Sequence, residues 1–557
     1  MAYKNNVDLL VEKRIITKEQ LDKAKEEVNK TGLPIEKALE KLGFISEIDI
    51  AQVVADSIGV PFMNLTDYLI DPEVIKLVPE ALAKKCRAVP LFKIGDSLTI
   101  AMQDPLDVAA IDEIRIKTKM GSIDPVLSTS AMIQNVLDQN YGTLGSVKDL
   151  ANELTQEKLD QKFKGSKGLS EISEEAPVIK LVNMIIMEAV KDKASDIHVE
   201  PEENIVRIRY RIDGILHESH EIPKHLQSVL ASRIKIMAKM DIAETRNPQD
   251  GRIQLKMESK DLDLRVSSFP TVYGENIVLR ILDKTSVILG LEDLGLSEKE
   301  LKDFNKIIQR PNGIILVTGP TGSGKTTTLY SALSTVNSME KNIITIEDPV
   351  EYEIPLIRQT QVNNKSGLTF AVGLRSILRQ DPDIIMVGEI RDKETAEIAI
   401  QASLTGHLVF STLHTNDAAS SLTRLIDMGI EPFLISTSVI AILAQRLVRV
   451  ICPNCKEKYS PSSEVLKDLK LSEKIEFSRG KGCTKCKQTG FIGRKGIFEL
   501  LLISDEIKNM VVAKTSSTDI KKKALNDGMR TLFDDGLDKV KKGITTIEEV
   551  LRVTEEV

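Results

Sequence analysis

The spacing of apolar residues changes along the chain, and each change predicts a different kind of structure. In the first sixty residues a short motif occurs twice, at 16–21 and at 45–50, and each copy opens an apolar pattern of helical period. Thr17 and Ser46 stand at N-cap positions, although only the first copy continues into a proper capping box. The repeat predicts paired helices in a helical N-terminal module at residues 1–65.

A mixed α/β pattern follows this module. A short apolar strand is predicted at 98–102, and a helix is predicted to begin near Asp107. Together they indicate a small α/β N-terminal domain at residues 66–142. Residues 143–174 contain Gly, Ser, Lys and Glu with few large apolar side chains, a composition that is typical of a flexible linker.

The next pattern predicts a second N-terminal α/β domain at residues 175–287. It begins with an amphipathic helix at 176–191 and continues into a hairpin at 204–221, whose turn is Asp213-Gly214. On the first hairpin strand apolar residues alternate with arginines, so one face is core and the other is strongly basic. The pattern leaves two interpretations open, a solvated face or a role at a phosphate or subunit interface. The arginines are Arg207, Arg209 and Arg211.

A last domain is predicted at residues 288–557. Strands and helices alternate from Gly313 onward, as they do in a parallel α/β sheet, and a cysteine-containing insert interrupts the pattern at 452–486. The closing helix is predicted to begin at Thr546, where Glu549 completes a capping box. Taken together, the patterns predict a multidomain α/β protein.

Composition limits the class of protein. The 557 residues are too many for one hydrophobic core, and 42% of them are hydrophobic and 28% charged. No run approaches the roughly 18 apolar residues of a spanning helix, and the N-terminus lacks the features of a secretion signal. A net charge of −7 and 4% aromatic residues with no Trp argue against a nucleic-acid translocase. We therefore expect a cytoplasmic protein that binds no nucleic acid.

Residues 319–326 match the P-loop pattern in full. An apolar strand at 314–317 leads into them and a helix follows, which is the context that a P-loop requires. The glycines let backbone N–H groups point inward, Lys325 bridges the β- and γ-phosphates of ATP, and Thr326 offers a hydroxyl to Mg²⁺. The predicted nucleotide-binding residues are Gly319, Pro320, Thr321, Gly322, Ser323, Gly324, Lys325, Thr326 and Thr327.

Hydrolysis also needs acidic groups that hold Mg²⁺ and orient water. The apolar strand at 384–388 ends in Glu389, the arrangement of a Walker B element, which places Glu389 near the metal. A second strand at 343–346 ends in Glu347, at the same predicted sheet edge. Either carboxylate could act as the base. Because both are present with Lys325, a nucleotide-binding scaffold without turnover is disfavoured.

Two histidines bracket the apolar strand at 408–410. A neutral imidazole at a strand end can sense a γ-phosphate by hydrogen bonding, whereas a buried structural histidine would merely satisfy a backbone carbonyl. The spacing of His407 and His414 does not choose between these roles.

Four of the five cysteines lie in the insert, as the pairs Cys452 with Cys455 and Cys483 with Cys486. In a reducing cytoplasm this clustering favours a metal over disulfides. Two CxxC pairs can converge on one tetrahedral Zn²⁺ and hold an insert that is too small for its own core.

In several long motifs the sequence resembles the secretion ATPases of type II secretion and type IV pili. The P-loop is similar to theirs, 345–351 looks like their aspartate box, 379–392 like their extended Walker B, and 405–416 like their histidine box. Three further stretches look like the family's second N-terminal domain. They are residues 195–201, 248–252 and 274–283.

The resemblance implies a RecA-like P-loop ATPase domain with a zinc-binding insert, preceded by a PAS-like domain at 175–287. It implies a homo-hexameric motor that uses ATP, Mg²⁺ and Zn²⁺ and acts at the cytoplasmic face of the inner membrane, with a membrane platform protein and a cytoplasmic adaptor as partners. It implies that Arg265 and Arg280 neutralise charge on the phosphoryl group, and it adds His414 to the catalytic set.

Within the family the tetracysteine is typical of assembly and secretion ATPases and is usually missing from retraction ATPases. We therefore expect a motor of type IV pilus assembly, with type II secretion as the alternative. The N-terminal module resembles cyclic di-GMP-binding modules but departs from their pattern. Their Arg-Leu-Gly is replaced at 5–7 and at 33–35, and their glutamines are Val28 and Ser57. These departures favour docking over cyclic di-GMP binding.

Overall fold

The first helices of the chain begin at the predicted N-caps. In the computed structural model, which describes residues 10–11, 13, 15–66, 68–141, 147–154, 176–258, 260–283, 289–460 and 476–554, Thr17 and Ser46 each accept a hydrogen bond from the amide three residues later. Both copies form capping boxes, so the prediction that only the first does so is wrong. The carboxylate of Asp49 reaches back to the amide of Ser46 at 3.3 Å. These helices are Lys18–Thr31, Ile35–Lys41 and Glu47–Ile58.

The small α/β domain has the predicted strand and helix. Strand β3 runs antiparallel to β2 and parallel to β4, and Asp107 caps the helix that follows it by accepting from the amide of Ala110 at 3.0 Å. Leu98 and Ile100 of β3 are fully buried in the core of this domain. The three strands are β2 (Ala88–Ile94), β3 (Ser97–Met102) and β4 (Ser122–Leu127). The helices around them are Pro72–Ile75, Glu80–Cys86, Val108–Thr118 and Ser130–Asn140.

A seven-stranded sheet forms the centre of the next domain, in the order β1-β8-β9-β10-β5-β6-β7. All neighbours are antiparallel except β1 and β8. The strands are β1 (Tyr68–Leu69), β5 (Ala194–Pro201), β6 (Ile205–Ile212), β7 (Ile215–Pro223), β8 (Gln249–Met257), β9 (Lys260–Thr271) and β10 (Gly274–Asp283). The predicted helix Ala176–Lys191 and the helix Gln227–Met237 contribute to its apolar core.

The predicted linker is wrong in part. The helix Val147–Glu153 lies inside it, and Val147 and Leu150 are buried in the core of the seven-stranded sheet. His225 hydrogen-bonds through Nε2 to the carbonyl oxygen of Leu154 at 2.6 Å. The few large apolar side chains of this segment recur with helical spacing, so one face of a helix can be buried. Their burial matters more than the polar composition of the segment as a whole. Residues 143–146 and 155–174 of the predicted linker lie outside the described residues.

The basic hairpin face is largely paired with acids. Arg207 contacts Glu202 at 2.7 Å and Arg209 contacts Glu200 at 2.6 Å, so these two arginines form part of an ion-pair ladder. The turn has the predicted residues, with positive φ at Asp213. Because β1 pairs with β8 and the helix Val147–Glu153 packs on the same sheet, the described residues between Met1 and Thr285 form one compact unit.

The second compact unit, Ser286–Val557, is built on another seven-stranded sheet, in the order β13-β12-β14-β15-β11-β16-β19. All neighbours are parallel except β16 and β19. Ile314 and Leu316 of β11 enter one apolar core, and Ile315 and Val317 enter the other, so the sheet is covered on both faces. The strands are β11 (Gly313–Thr318), β12 (Ile343–Glu347), β13 (Arg358–Gln361), β14 (Ile384–Val387), β15 (Leu408–Leu413), β16 (Val439–Ile451) and β19 (Phe491–Leu502).

Between β16 and β19 the insert forms a small antiparallel pair, β17 (Lys456–Tyr459) with β18 (Phe477–Gly480). The helices of this unit are Glu298–Ile307, Lys325–Val336, Phe370–Ile377, Lys393–Leu404, Ala418–Asp427, Pro432–Ser438, Asp505–Val512, Ser517–Asn526, Leu532–Lys541 and Ile547–Thr554. Within the described ranges, no helix is both long and apolar enough to cross a bilayer.

The closing helix begins as predicted, but its capping box is wrong in one respect. Thr546 accepts from the amide of Glu549 at 3.4 Å, whereas the Glu549 carboxylate turns to Arg449 at 2.6 Å and to Arg552 at 2.8 Å. Although burial opposes ionisation, these two guanidinium groups bring the pKa of Glu549 down to about 2. The Glu549 carboxylate therefore pairs with Arg449 of β16 and does not bond the backbone amide of its own N-cap residue.

Candidate active site

The P-loop lies at the carboxyl end of β11, and its glycines allow close approaches that other residues would block. A Cβ atom at Gly319 would lie 2.5 Å from the carbonyl oxygen of Gln445 on the neighbouring strand β16. Gly324 has φ of 88°, in the left-handed region, and begins the helix Lys325–Val336. The loop therefore turns sharply and directs its chain into a helix N-terminus, the arrangement that binds phosphate.

Lys325 is buried against this loop. Its Nζ donates to the carbonyl oxygens of Gly319 at 2.8 Å and Pro320 at 3.1 Å, and the residue is 9% exposed. Burial lowers the pKa of Lys325 to about 8, with a smaller contribution from Arg446, while the charge of Glu389 acts in the opposite direction. The lysine therefore lies within electrostatic reach of the strand-end carboxylate of β14.

Two hydroxyl groups complete the loop. Ser323 is 3% exposed, and among the described residues its Oγ has no hydrogen-bond partner. A buried hydroxyl without a partner is costly, and a phosphate oxygen is the acceptor that this position fits. Thr326 is exposed in the first helical turn, followed by the half-buried Thr327. The donor set therefore fits a nucleotide, with a hydroxyl left for Mg²⁺.

Glu389 follows β14 and is held close to β15. The amide of Ile390 donates to the carbonyl oxygen of Thr412 at 3.0 Å, and Thr412 Oγ1 donates to the carbonyl oxygen of Gly388 at 2.8 Å. These bonds join the ends of the two strands on either side of Glu389. The side chain of Glu389 is 12% exposed, and Arg391 Nη2 lies 2.6 Å from its Oε1. The carboxylate is therefore positioned but still reaches the surface.

Glu347, the other strand-end acid, is buried and surrounded by donors. Its Oε1 accepts from Thr345 Oγ1 at 2.5 Å and from Gln359 Nε2 at 3.2 Å, and its Oε2 accepts from the Tyr330 hydroxyl. Burial raises the pKa of Glu347, against the effect of these hydrogen bonds. Its neighbour Asp348 is exposed and contributes, after Glu389, to the raised pKa of Arg391. The charge of Asp348 therefore reaches Arg391, the residue that pairs with Glu389 at this sheet edge.

The two histidines have different environments in the structure. His407 Nδ1 lies 2.8 Å from the carbonyl oxygen of Ala402 and 3.2 Å from Thr405 Oγ1, so this ring satisfies a backbone carbonyl. His414 lies at the end of β15, between β14 and β11 in the sheet, with its Nε2 at 3.4 Å from Glu389 Oε2. The side chain of His414 is 48% exposed. Of these two histidines, His414 is therefore the one beside Glu389.

The sequence patterns did not predict two buried polar neighbours of the P-loop, Gln445 and Arg446. Gln445 Oε1 accepts from Thr328 Oγ1 at 2.7 Å behind the P-loop, and Arg446 Nη2 donates to the carbonyl oxygen of Asn416 at 3.0 Å. Both are almost completely buried in β16. Two polar residues inside an apolar strand were the available signal, since such residues are buried only when they have partners.

The predicted arginines lie in the first unit, in a row across its sheet. Arg265 on β9 is the cross-strand partner of Arg280 on β10, and Arg252 on β8 is opposite Arg265 on the other side. At the end of the row Arg280 Nε donates to Asp196 Oδ1 at 3.0 Å, and the Arg280 side chain is 61% exposed. Arg252 at the other end pairs with Asp263, so the row combines three arginines with two carboxylates.

The four cysteines of the insert converge on one point. Their sulfur atoms all lie within 4.8 Å of one another, with Cys452 and Cys483 at 3.8 Å and Cys483 and Cys486 at 3.6 Å. A tetrahedral site with Zn–S bonds of about 2.3 Å has S–S edges of about 3.8 Å. Disulfide bonds would need about 2.05 Å. The four thiols, including Cys455, form a group that can hold a metal ion.

The backbone around the cysteines supports that geometry. The amides of Cys483 and Gly490 donate to Cys486 Sγ at 3.1 and 3.3 Å. Although burial favours the thiol, these donors bring the pKa of Cys486 to about 6, which favours the thiolate that a metal requires. Gly480 approaches Gly490 so closely that a Cβ would lie 2.1 Å from the Gly490 carbonyl oxygen. Both glycines are therefore needed to bring the two pairs together.

Comparison with known proteins agrees with this geometry. The family described as type II/IV secretion system protein matches residues 171–552. The chain belongs to this family of type II/IV secretion system proteins. A second match, to the MshEN domain, covers residues 58–147 and overlaps the predicted small α/β domain.

Individual members of the family match over long stretches. A type IV pilus assembly ATPase, PilB of Myxococcus xanthus, is 44% identical over 98% of this chain and 98% of its own length. A type II secretion system protein E of Dickeya dadantii is 53% identical over 74% of this chain and 82% of its own length. The structure of the Legionella pneumophila ATPase DotB, at 20% identity, covers 67% of this chain and 95% of that chain with a TM-score of 0.51, and it supports the fold. The predicted resemblance and the multidomain α/β fold class are confirmed.

Proposed function

We propose that this secretion-family protein is an Mg²⁺-dependent ATPase, a motor that uses ATP hydrolysis to drive assembly of a type IV pilus. The observation that carries the proposal is the grouping of Lys325, Glu389 and His414 at one edge of a parallel sheet, where a P-loop ends in a helix N-terminus. The pilus-assembly relative of nearly the same length supports the same activity.

In this proposal the P-loop binds ATP through its backbone. The amides of residues 321–325 surround the β-phosphate, and Ser323 donates its buried hydroxyl to a phosphate oxygen. Lys325 exchanges its bonds to the Gly319 and Pro320 carbonyl oxygens for bonds to the β- and γ-phosphates. Negative charge at the loop stabilises the protonated amine, so binding raises the pKa of Lys325 above its value of about 8.

Glu389 and His414 act on the side of the γ-phosphate that faces away from the P-loop. Glu389 accepts a proton or a hydrogen bond from the attacking water and, with the hydroxyl of Thr326, holds the metal site. Mg²⁺ bound there would neutralise phosphate charge. His414 donates to the γ-phosphate and, at 3.4 Å from Glu389, links that phosphate to the carboxylate. Glu347, with both oxygens already hydrogen-bonded inside the protein, keeps a structural role in this scheme.

The arginine row supplies positive charge in the assembled motor. We infer that the protein forms a homo-hexamer and that Arg265 and Arg280 neutralise charge on the transferring phosphoryl group, as the resemblance implies. Support comes from their shared strip of sheet and from the exposed fraction of Arg280, 61%. Substituting Arg280 with Gln should lower kcat in the hexamer without lowering the affinity of an isolated subunit for ATP.

The activity is tested by phosphate release with MgATP, measured together with particle mass by light scattering. A hexamer that releases phosphate and stops when Mg²⁺ is withdrawn agrees with the proposal. A protein that binds ATP without phosphate release, alone and with its membrane partner present, would contradict it. Stimulation by single-stranded DNA would favour the nucleic-acid translocase instead.

A type II secretion motor is the second candidate, and the Dickeya relative, which is 53% identical over 74% of this chain, supports it. Both candidates place the protein at the cytoplasmic face of the inner membrane, with a platform protein and a cytoplasmic adaptor. Deletion of the gene in the source organism distinguishes them. Loss of surface pili with normal protein secretion supports pilus assembly, and the opposite phenotype supports secretion.

We further propose that the cysteine cluster holds Zn²⁺ and that the N-terminal helices are a docking module that does not bind cyclic di-GMP. The sulfur geometry supports zinc, and Val28 and Ser57 stand where cyclic di-GMP-binding modules have glutamines. Isothermal titration with cyclic di-GMP tests the second part, since measurable heat from a one-site isotherm would overturn it. The match to the MshEN domain makes this titration necessary for the full chain.

A further inference from the structure

Arg446 is a buried arginine at the base of the P-loop. It lies in β16, next to the P-loop strand β11, and is 5% exposed. Its Nη1 donates to the carbonyl oxygen of Gln445 at 3.1 Å and lies 3.2 Å from the place where a Cβ of Gly319 would be. The guanidinium therefore contacts the first turn of the loop from behind.

The same guanidinium also holds the segment that carries the histidine. Its Nη2 donates to the carbonyl oxygen of Asn416 at 3.0 Å and approaches Asn416 Oδ1 at 3.4 Å, two residues beyond His414. A second bond runs parallel to it, because Thr415 and Thr318 share a hydroxyl contact of 2.7 Å and the Thr415 amide donates to Thr318 Oγ1 at 3.0 Å. The chain after β15 is thus bonded to the P-loop side at two successive residues.

On its other side this segment is bonded to the C-terminal part of the unit. The amide of Ala418 donates to Glu499 Oε1 at 2.9 Å, and Lys521 Nζ donates to Asp417 Oδ2 at 2.9 Å. Glu499 is 1% exposed and belongs to β19. Residues 415–418 are therefore held from both sides, and Arg446 supplies the bond that faces the nucleotide site.

We propose that Arg446 is a positioning residue of the ATPase site, which holds the His414 segment against the P-loop so that the imidazole stays beside Glu389. The inference rests on the proposed ATPase function. A guanidinium suits this role because its donors lie in one plane and point in fixed directions, so one group can bond Gln445 and Asn416 together. A lysine at this position would keep the charge but would not make both bonds.

The test compares steady-state kinetics of the full-length wild type, Arg446→Lys and the control Arg449→Lys. Arg449 is three residues along the same strand and is also mostly buried, but it pairs with Glu549 and stacks on Phe491 at 4.1 Å. We expect Arg446→Lys to lose kcat on the order of 10- to 100-fold, with KM for ATP changed by less than about threefold. Arg449→Lys should lower the melting temperature and leave kcat within about threefold.

A double-mutant cycle with His414→Ala then shows whether Arg446 acts through the histidine. If it does, Arg446→Lys causes little further loss of kcat in the His414→Ala protein. Additive losses would overturn the inference, because Arg446 would then act independently of His414. A wild-type rate for Arg446→Lys would also overturn it, since charge alone would be sufficient.

Failure of the inference is distinguishable from failure of the proposed function. No phosphate release by the wild type contradicts the function itself, whereas equal release by the wild type and Arg446→Lys contradicts only the positioning role. If circular dichroism shows that Arg446→Lys is unfolded, Thr415→Val tests the parallel bond to Thr318. A comparable loss of kcat in that variant supports the inference, and an unchanged kcat overturns it.

Discussion

The ends of β12 and β14 look alike in sequence but differ in environment. Both strands are apolar, both belong to one parallel sheet, and both are followed by acids at its carboxyl edge. Glu389, beyond β14, lies near Lys325 and His414 and retains a surface-facing carboxylate. Glu347, at the end of β12, is 3% exposed and accepts three hydrogen bonds from neighbouring side chains. This difference supports the proposal that Glu389 is the acid that acts on a bound nucleotide.

The comparison also shows what a strand-end pattern can predict. It locates the backbone, because parallel strands bring their carboxyl ends to one edge. It does not locate the side chain, whose environment depends on residues that are distant in sequence. For Glu347 those residues are Tyr330, on the P-loop helix, and Gln359, on the edge strand β13. Neither carries a motif that would have identified it beforehand.

The largest expected effect comes from removing Lys325, whose charge interacts with Glu389. Lys325→Ala should lower ATP turnover on the order of 10³-fold, because the loop loses the charge that bridges two phosphates. Turnover by malachite-green phosphate release checks this. Thermal melting serves as the control, and a variant that retains its turnover would show that Lys325 does not contact the phosphates.

The next effect is the pH dependence of KM for ATP, which reports the ionisation of Lys325, the lysine beside Glu389. Burial lowers the pKa of Lys325 to about 8, so the free enzyme loses this charge as pH rises through 8. We expect KM for ATP to rise by up to about tenfold per pH unit above that value. Lys325→Arg, which stays protonated, should show no such rise. A flat KM for the wild type between pH 7 and 9.5 would contradict the assignment.

A smaller effect on turnover, with a larger one on stability, is expected at Glu347. Glu347→Gln should change kcat by less than about fivefold and lower the free energy of unfolding by about 1–3 kcal/mol, because a buried acceptor is lost. Urea unfolding followed by circular dichroism measures this. An unchanged free energy of unfolding would mean that the hydrogen bonds to Tyr330, Thr345 and Gln359 contribute nothing.

The pH dependence of that stability has a definite sign. Burial raises the pKa of Glu347 above its ordinary value of 4.5, so the folded protein keeps a proton that the unfolded chain releases. The stabilisation is complete below pH 4.5 and is lost as pH rises through the folded pKa. The stability difference between the wild type and Glu347→Gln should therefore shrink as pH rises above 4.5. A growing difference would show that the carboxylate is ionised in the folded state.

The smallest effect on turnover is expected from the cysteine cluster. Cys452 is six positions beyond Arg446, about 20 Å along an extended chain at roughly 3.3 Å per residue. Cys455→Ser should abolish stoichiometric zinc, measured by atomic emission, and lower the melting temperature. Its kcat should remain within about twofold of the wild type. A strong loss of kcat in folded protein would show that the insert belongs to the active site.

Much of this site could be predicted from sequence where local rules apply. The P-loop, its strand and helix, the two acid-ended strands and the cysteine pairs depend on short spacings. The N-caps Thr17 and Ser46 likewise depend on residues three places apart. Each of these features is complete within a few residues of the chain.

The misses involve partners that are distant in sequence. Val147 enters a core formed mostly by residues after position 175, and Glu549 bonds Arg449, a strand residue 100 positions away. The choice between His407 and His414 depends on which neighbour each ring reaches. The partner of Arg446 could not be predicted, because Asn416 is brought close to it only by the order of the strands in the sheet. Such contacts are properties of the fold.

The most direct test of the account is a side-by-side measurement of ATP binding, ATP turnover and unfolding for Glu389→Gln and Glu347→Gln. The account predicts that Glu389→Gln binds ATP, loses turnover on the order of 10² to 10³-fold and unfolds like the wild type, since its carboxylate acts on water. It predicts a near-normal turnover and an easier unfolding for Glu347→Gln. The reverse result, with Glu347→Gln inactive and Glu389→Gln active, would contradict the account and make Glu347 the essential acid.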